Sequence, residues 1–329
     1  MRLQTSNPQA RSGQGHLKTL GKSIKASLGG LTALALAVTT SITPTFAADP
    51  FRTDTQQDIG PHTEAAFEAF FKSADYVEVR ESLDLALEDE AEAEDPLVHA
   101  MSAAISYIDE DWDTLATKAE LTKESAEVLI DLDDDTARLR GHLYAAVGIF
   151  LEGAHMLKTQ GVARSTPSAL AMLQKVFSHI GEAEKIDRTD PELNLVKGYM
   201  DLFLAVNLPF ADPEDAIERL SQYGSPSYLS YRGIALGYRD LEQVPEAIDA
   251  VDHALVEAPE NPELFYLKAQ LLRRQQDIDA SVAMFDEALN YAAQLPQPLA
   301  RKIFKERCRT LGKSHEACGA EADAFIEAL

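Results

Sequence analysis

Several absences narrow the function before any motif does. Two cysteines in 329 residues are too few for a disulfide framework. Lys and Arg number 30 against 54 Asp and Glu, a net charge of −24. The clustered cations that nucleic-acid phosphates need are therefore missing, which argues against a nucleic-acid binder. It argues equally against docking on anionic lipid. There is no HExxH and no GxSxG elbow. No two of the eight histidines stand at i,i+3 or i,i+4, the spacings that put two ligands on one helical face. Strand-like alternation is absent. Hydrophobic residues nevertheless make up 45%, so the chain can build a core.

The charge is unevenly placed. Residues 1–47 hold Arg2, Arg11, Lys18, Lys22 and Lys25 and no acid. Leu28 to Val38 is an apolar run of eleven residues, well short of the roughly 20 that span a bilayer as a helix. Thr45-Phe46-Ala47 follows, with small residues at the positions a signal peptidase reads. A basic segment, a short apolar stretch and a small-residue exit describe a secretory signal peptide cut between Ala47 and Ala48. Gly15 to Ser23 imitates a phosphate loop but carries one residue too many between its first Gly and the Gly-Lys-Ser. Without the five leader cations, 25 Lys and Arg face 54 Asp and Glu, a net charge of −29. No later apolar run reaches membrane length; Leu143 to Leu151, between Arg140 and Glu152, comes nearest. A soluble exported protein is expected, with an extended segment over 48–60.

From Pro61 onward helical periodicity dominates, punctuated by Gly and Pro. A repeat then emerges. Ala247 and Ser281 stand 34 residues apart, as do Val251 and Phe285, and Ala254 and Ala288. Asp190-Pro191-Glu192-Leu193 matches Asn261-Pro262-Glu263-Leu264, and Gly198, Gly233 and Ala269 share one offset. Small residues there let a second helix approach closely, while Val251 and Phe285 fill the space between units. This spacing resembles the tetratricopeptide repeat, a helix-turn-helix unit of about 34 residues, and implies an all-α, right-handed α-solenoid. The match is clearest over 191–296, as three units. Over 61–190 it is degenerate, with helices expected near 62–73, 75–90, 96–109, 113–131, 136–159 and 168–186. Residues 297–329 would be capping helices. The segments Ala48 to Arg52, Thr63 to Phe71, Arg140 to Tyr144 and Pro191 to Leu202 further resemble a family of exported cyanobacterial tetratricopeptide proteins with no assigned activity. That resemblance implies the periplasm or the thylakoid lumen.

The repeat family binds partners in a concave groove lined by fixed positions of each first helix. Carried over, those positions are Leu195, Tyr199, Leu202 and Phe203, then Ile234 and Tyr238, then Tyr266, Gln270, Arg273 and Arg274. Tyr and Arg are frequent interface anchors, and two arginines in so acidic a chain would favour an anionic end of a ligand. Tyr266 and Gln270 occupy the places where some relatives hold a C-terminal carboxylate with Lys and Asn. Leu195, Leu202 and Phe203 would serve equally as core between units.

Other candidates are weaker. Asp109, Asp111, Asp113 and Glu120 have calcium-loop spacing but lack the Gly at the sharp turn; a repeat turn with Asp113 capping a helix explains them as well. The acidic run Glu88 to Asp95 reads as a solvated helix end or a lure for a basic partner. Cys308 and Cys318, ten residues apart in the cap, could form a disulfide in an oxidising compartment. With His315 they are too few ligands for structural zinc. The long helix over 136–159 carries Gly141, Gly148 and Gly153 together with His142 and His155. Two functions follow: a non-enzymatic scaffold binding a peptide or protein, with no cofactor or metal, or an enzyme or metal-dependent binder centred on that glycine-bearing helix.

Overall fold

The computed structural model describes residues 49–53, 57, 59–207 and 213–329. The leader expected over 1–47 lies outside the described residues, as do Leu208, Pro209 and Phe210. No strand occurs among the described residues. The described residues form an all-helical α-solenoid. Its helices are α1 (Pro61–Phe67, continued by a π-helical turn, Glu68–Ser73), α2 (Tyr76–Glu88), α3 (Pro96–Ile108), α4 (Trp112–Ile130), α5 (Asp135–Gln160), α6 (Val162–Ile186) and α7 (Pro191–Asn207). They continue as α8 (Pro213–Tyr223), α9 (Ser227–Asp240), α10 (Val244–Glu257), α11 (Pro262–Arg274), α12 (Ile278–Asn290), α13 (Gln297–Thr310) and α14 (His315–Glu327). Each helix packs on the one that follows it. No described helix is long and apolar enough to cross a membrane.

One turn recurs inside the helical pairs. Glu110, Glu242 and Gln276 each adopt a left-handed φ, of 58°, 61° and 68°. The next residue donates its N–H five residues back, from Asp111 to Ser106, Gln243 to Tyr238 and Asp277 to Leu272. This is the bond that closes a helix C-terminus before the chain reverses. In two of these turns that same residue is an aspartate that caps the next helix: Asp111 accepts from the Thr114 N–H and Asp277 from the Ala280 N–H. The cap of α4 is thus Asp111, not Asp113, because the helix begins at Trp112. Gly312, at φ 83°, precedes an equivalent Lys313-to-Cys308 bond, so α13 and α14 share the pair geometry. In this pair Cys308 and Cys318 are joined by a disulfide with their Cα atoms 5.6 Å apart.

The small residues act where close approach demands them. A Cβ on Gly198 would sit 2.6 Å from Leu220 Cγ of α8. On Gly141 it would lie 2.7 Å from the backbone nitrogen of Ile130, and on Gly148 3.0 Å from the Ala119 carbonyl, so both glycines seat α5 on α4. Gly153 meets only Met172 Sδ, at 3.9 Å. Helix α6 starts at Val162, directly after Gly161 breaks α5 at φ 81°, and runs through Pro167. The helix thus starts six residues ahead of the expected 168.

The acidic run 88–95 is not a solvated helix end throughout. Glu92 is buried and accepts from the His62 and Thr63 N–H groups and the Thr63 hydroxyl, so it caps α1. Gly60 is required beside it, since a Cβ there would fall 2.1 Å from the Glu92 side chain.

The chain also returns on itself. Asn261 Nδ2 donates to the Phe71 and Lys72 carbonyls at 3.1 Å, and Gln294 Nε2 to that of Ser73 at 2.9 Å. The Tyr76 hydroxyl donates to Glu263 at 2.5 Å, and Arg232 pairs with the same carboxylate. The α1–α2 pair therefore sits against the starts of α9 and α11 and leaves their far ends open.

Candidate partner-binding site

At those far ends, the last turns of α7, α9 and α11 and the first residue of α8 bound an open cavity of about 390 Å³. Its walls are Leu202 and Ala205 of α7, Pro213 of α8, Arg239 and Asp240 of α9, Glu242 of the following turn and Arg274 of α11. The arginines lie there for a local reason. Each lies in the last turn of its helix, where cations offset the negative pole of the backbone dipole. Arg274 donates to the Arg239 carbonyl at 3.0 Å, and Arg239 Nε to Asp240 at 2.9 Å. Two guanidinium groups are thus held beside an apolar wall at the mouth of one cavity.

Of the ten groove residues expected from the repeat, two line this cavity, Leu202 and Arg274. Leu195, Leu202, Ile234 and Tyr266 are buried, at 5–8% exposure. The Tyr199 hydroxyl donates to the Leu229 carbonyl at 2.8 Å, between α7 and α9, and burial pushes that hydroxyl up to about 12. Tyr238 packs partly buried against the main core. Phe203 is half exposed and meets the Phe150 ring edge-on at 5.4 Å. Tyr266, Gln270 and Arg273 converge on one carboxylate, Glu306 of α13, at 2.8, 3.1 and 3.2 Å. The first helix of the last pair therefore engages three of these positions. Arg239 and Glu306 escaped the sequence reading because neither occupies a groove position of the repeat.

A second constellation is buried except for the edge of Asp95. Arg52 forms a fork with Asp190, Nε to Oδ2 at 2.7 Å and NH2 to Oδ1 at 2.9 Å, and NH2 also reaches Glu192 at 2.7 Å. Asp49 accepts from the Phe51 N–H and from Arg52 NH1. Arg140 of α5 joins Glu192 at 3.2 Å and Asp95 at 3.2 Å, while the Tyr144 hydroxyl donates to Glu192 at 2.5 Å. Burial opposes the charge on Glu192, yet Arg140 and Arg52 outweigh it and hold the carboxyl below its usual range. Burial wins at Asp190, which lies above its usual range. The Tyr144 hydroxyl is pushed up by burial and by Glu192. Segments far apart in the sequence, around Arg52, Arg140 to Tyr144, and Asp190 to Glu192, meet at this cluster.

Among the described residues, no three His, Cys, Asp or Glu side chains are arranged to hold a metal ion. His155 of α5 is half-buried. His142 faces His179 of α6, Nδ1 to Nδ1 at 3.2 Å. The acids of the calcium-like stretch are engaged elsewhere: Asp109 with Arg80, Asp111 with Thr114, and Glu120 with Lys123.

The chain matches no protein-family model and no curated protein. Among solved structures it is similar to a chain of the APC/C hetero-tetramer Cut9–Hcn1, at a TM-score of 0.35 and 10% identity over 74% of this chain. It is also similar to the TPR2AB domain of yeast Sti1 in its pHSP90 complex, at a TM-score of 0.27 and 14% identity, covering 80% of this chain and 97% of that one. The chain spans 62% of the Cut9–Hcn1 chain that it matches.

Proposed function

We propose that the protein is a non-enzymatic scaffold, exported to the periplasm or thylakoid lumen, that binds a peptide or protein segment in the cavity at the ends of α7, α9 and α11. The carrying observation is the pairing there of Arg239 and Arg274 with the apolar wall of Leu202 and Ala205. A carboxylate on the ligand, at its C-terminus or on an acidic side chain, would face the guanidinium groups, which are suited to planar oxyanions. An adjacent apolar side chain would lie on Leu202. Of the residues first expected to line the groove, Leu202 and Arg274 are the ones this reading keeps as ligand contacts. Tyr238 and Phe203 would flank the ligand, and the others would hold the helices in place.

Selection of a peptide display library on the purified chain tests this. The selected peptides should share an acidic or C-terminal carboxylate next to an apolar residue. The doubly substituted R239A/R274A variant should keep its helical circular dichroism and lose their binding. Peptides that bind both proteins equally would move the site elsewhere.

A further inference from the structure

A narrow apolar cleft runs between α5, α6 and α7, with Phe150, Leu173, Val176, Ile180, Met200 and Leu204 in its walls. It opens because α6 packs along α5 yet touches α7 little. Helix α6 carries the apolar surface outward. Leu170, Leu173 and Phe177 stand at i, i+3 and i+7, one stripe of a helix. Leu170 is 54% exposed and Phe177 47%. Large apolar side chains left half in water along an apolar cleft mark a contiguous surface suited to a partner.

Charge selects the partner. Lys197 and Asp201, four residues apart on α7, also line the cleft. Glu184 holds Lys197 at 2.7 Å. Among the described residues the closest cation to Asp201 is Arg219 Nε, at 3.9 Å, and Arg219 NH1 is drawn instead to Asn194 at 2.8 Å and Glu184 at 3.6 Å. Burial holds the Asp201 carboxyl above its usual range, against the opposing pull of Lys197 and Arg219, while Glu184 and Asp215 add to the push. This carboxylate is short of a cation at the rim of an apolar surface. The chain as a whole carries −24, or −29 without the five leader cations. Such a charge repels a second copy and anionic lipid and draws in a cationic partner.

We propose that the α6 stripe and the adjoining cleft form a second docking surface, one for a basic amphipathic helix of a partner protein. The apolar face of that helix would lie along Leu170, Leu173 and Phe177, and a Lys or Arg on its flank would reach Asp201. Helix-in-groove recognition of this kind is read by apolar anchors at i, i+3 or i+4, and i+7. The cavity at the ends of α7, α9 and α11 favours a carboxylate, so the two surfaces would take ligands of opposite charge.

Fluorescence anisotropy with three labelled peptides, each about two heptads long, tests this. One has Leu and Lys in helical amphipathic register, the second is its scrambled isomer with no apolar face, and the third replaces every Lys of the first by Glu. The first should bind about 10-fold or more tighter than either of the others. The doubly substituted L170S/F177S variant changes exposed side chains, so it should keep its helical circular dichroism and bind the first peptide about 10-fold or more weakly. Asp201→Asn should weaken binding about 2- to 5-fold, and R239A/R274A should leave it unchanged. Equal binding of the register and scrambled peptides, or undiminished binding by L170S/F177S, would overturn the surface. Sedimentation of the chain alone should show a monomer, and flotation with phosphatidylcholine vesicles should leave it unbound. A dimer or a vesicle-bound form that L170S/F177S abolishes would assign the stripe to another occupant and overturn the proposal.

Discussion

Arg52 and Glu192 stand 140 residues apart in the chain, yet their side chains meet at 2.7 Å with both fully buried. This contact ties the segment before α1 to the first turn of α7, and Arg140 ties α5 to the same carboxylate. Burying two guanidinium groups among Asp49, Asp95, Asp190 and Glu192 works only while the set is complete. Removing one member strands a charge away from water, which costs about 3–5 kcal/mol. Arg52→Met and Glu192→Gln should therefore each lower the chemical-denaturation midpoint strongly. Arg301→Ala, which breaks an exposed pair with Asp323, should barely move it. Equal effects from buried and exposed variants would mean that the cluster does not anchor the N-terminal segment.

The glycines of α5 give a prediction of opposite sign along one helix. Alanine favours a helix over glycine by about 1 kcal/mol. At Gly141 the added Cβ would press on the Ile130 backbone nitrogen at 2.7 Å and the Ala126 carbonyl at 2.8 Å, atoms that cannot step aside. Gly141→Ala should thus destabilise, by about 1–3 kcal/mol. At Gly153 the nearest atom is the flexible Met172 Sδ at 3.9 Å, and Gly153→Ala should stabilise by up to about 1 kcal/mol. Urea denaturation of the two variants reads both signs directly.

The local features were legible in the sequence, and the distant ones were not. The 34-residue offsets mark the helical pairs, and Asp75, Asp111 and Asp277 cap helix starts through bonds that span three residues or fewer, although the spacing alone put the cap of α4 at Asp113. Such signals survive in any window of sequence. Arg52 with Glu192, and His142 with His179, are contacts between segments far apart in the sequence, brought together by tertiary packing, and no spacing encodes them. The groove shows the same divide. The repeat offset places Tyr266, Gln270 and Arg273 on a face of α11, but only the position of α13 brings Glu306 onto that face. Substituting Tyr266 would therefore disturb packing as well as any ligand contact, and Arg239 and Arg274 make the cleaner test.

The cap disulfide should matter locally. Cys308 ends the buried face of α13 and Cys318 sits in the first turns of α14, so the bond closes a short loop around Gly312. Constraining a loop of this length in the unfolded chain is worth about 2–3 kcal/mol. Denaturation with reductant, or of the Cys308→Ser/Cys318→Ser variant, should show that loss. Mass spectrometry after alkylation should find no free thiol in protein taken from an oxidising compartment. Two alkylated thiols without reductant would remove the bond from the native protein.

His99 contributes to the expected response to acid. It lies on α3, 6% exposed, and its Nδ1 has no hydrogen-bond partner. Burial and the nearby Lys118 charge hold its pKa below the usual histidine value, against the opposing pull of the Ala93 carbonyl and Asp95. The sign follows from linkage. Above the unfolded value of about 6.5 both states are neutral and the group is silent. Below it the unfolded chain takes up a proton that the folded chain resists, so stability falls as the pH drops through that value. Urea midpoints measured from pH 7.5 downward should decline, and His99→Leu should flatten the decline, because leucine fills a similar volume with nothing to protonate. A decline of the same steepness in His99→Leu would place the acid sensitivity in other groups.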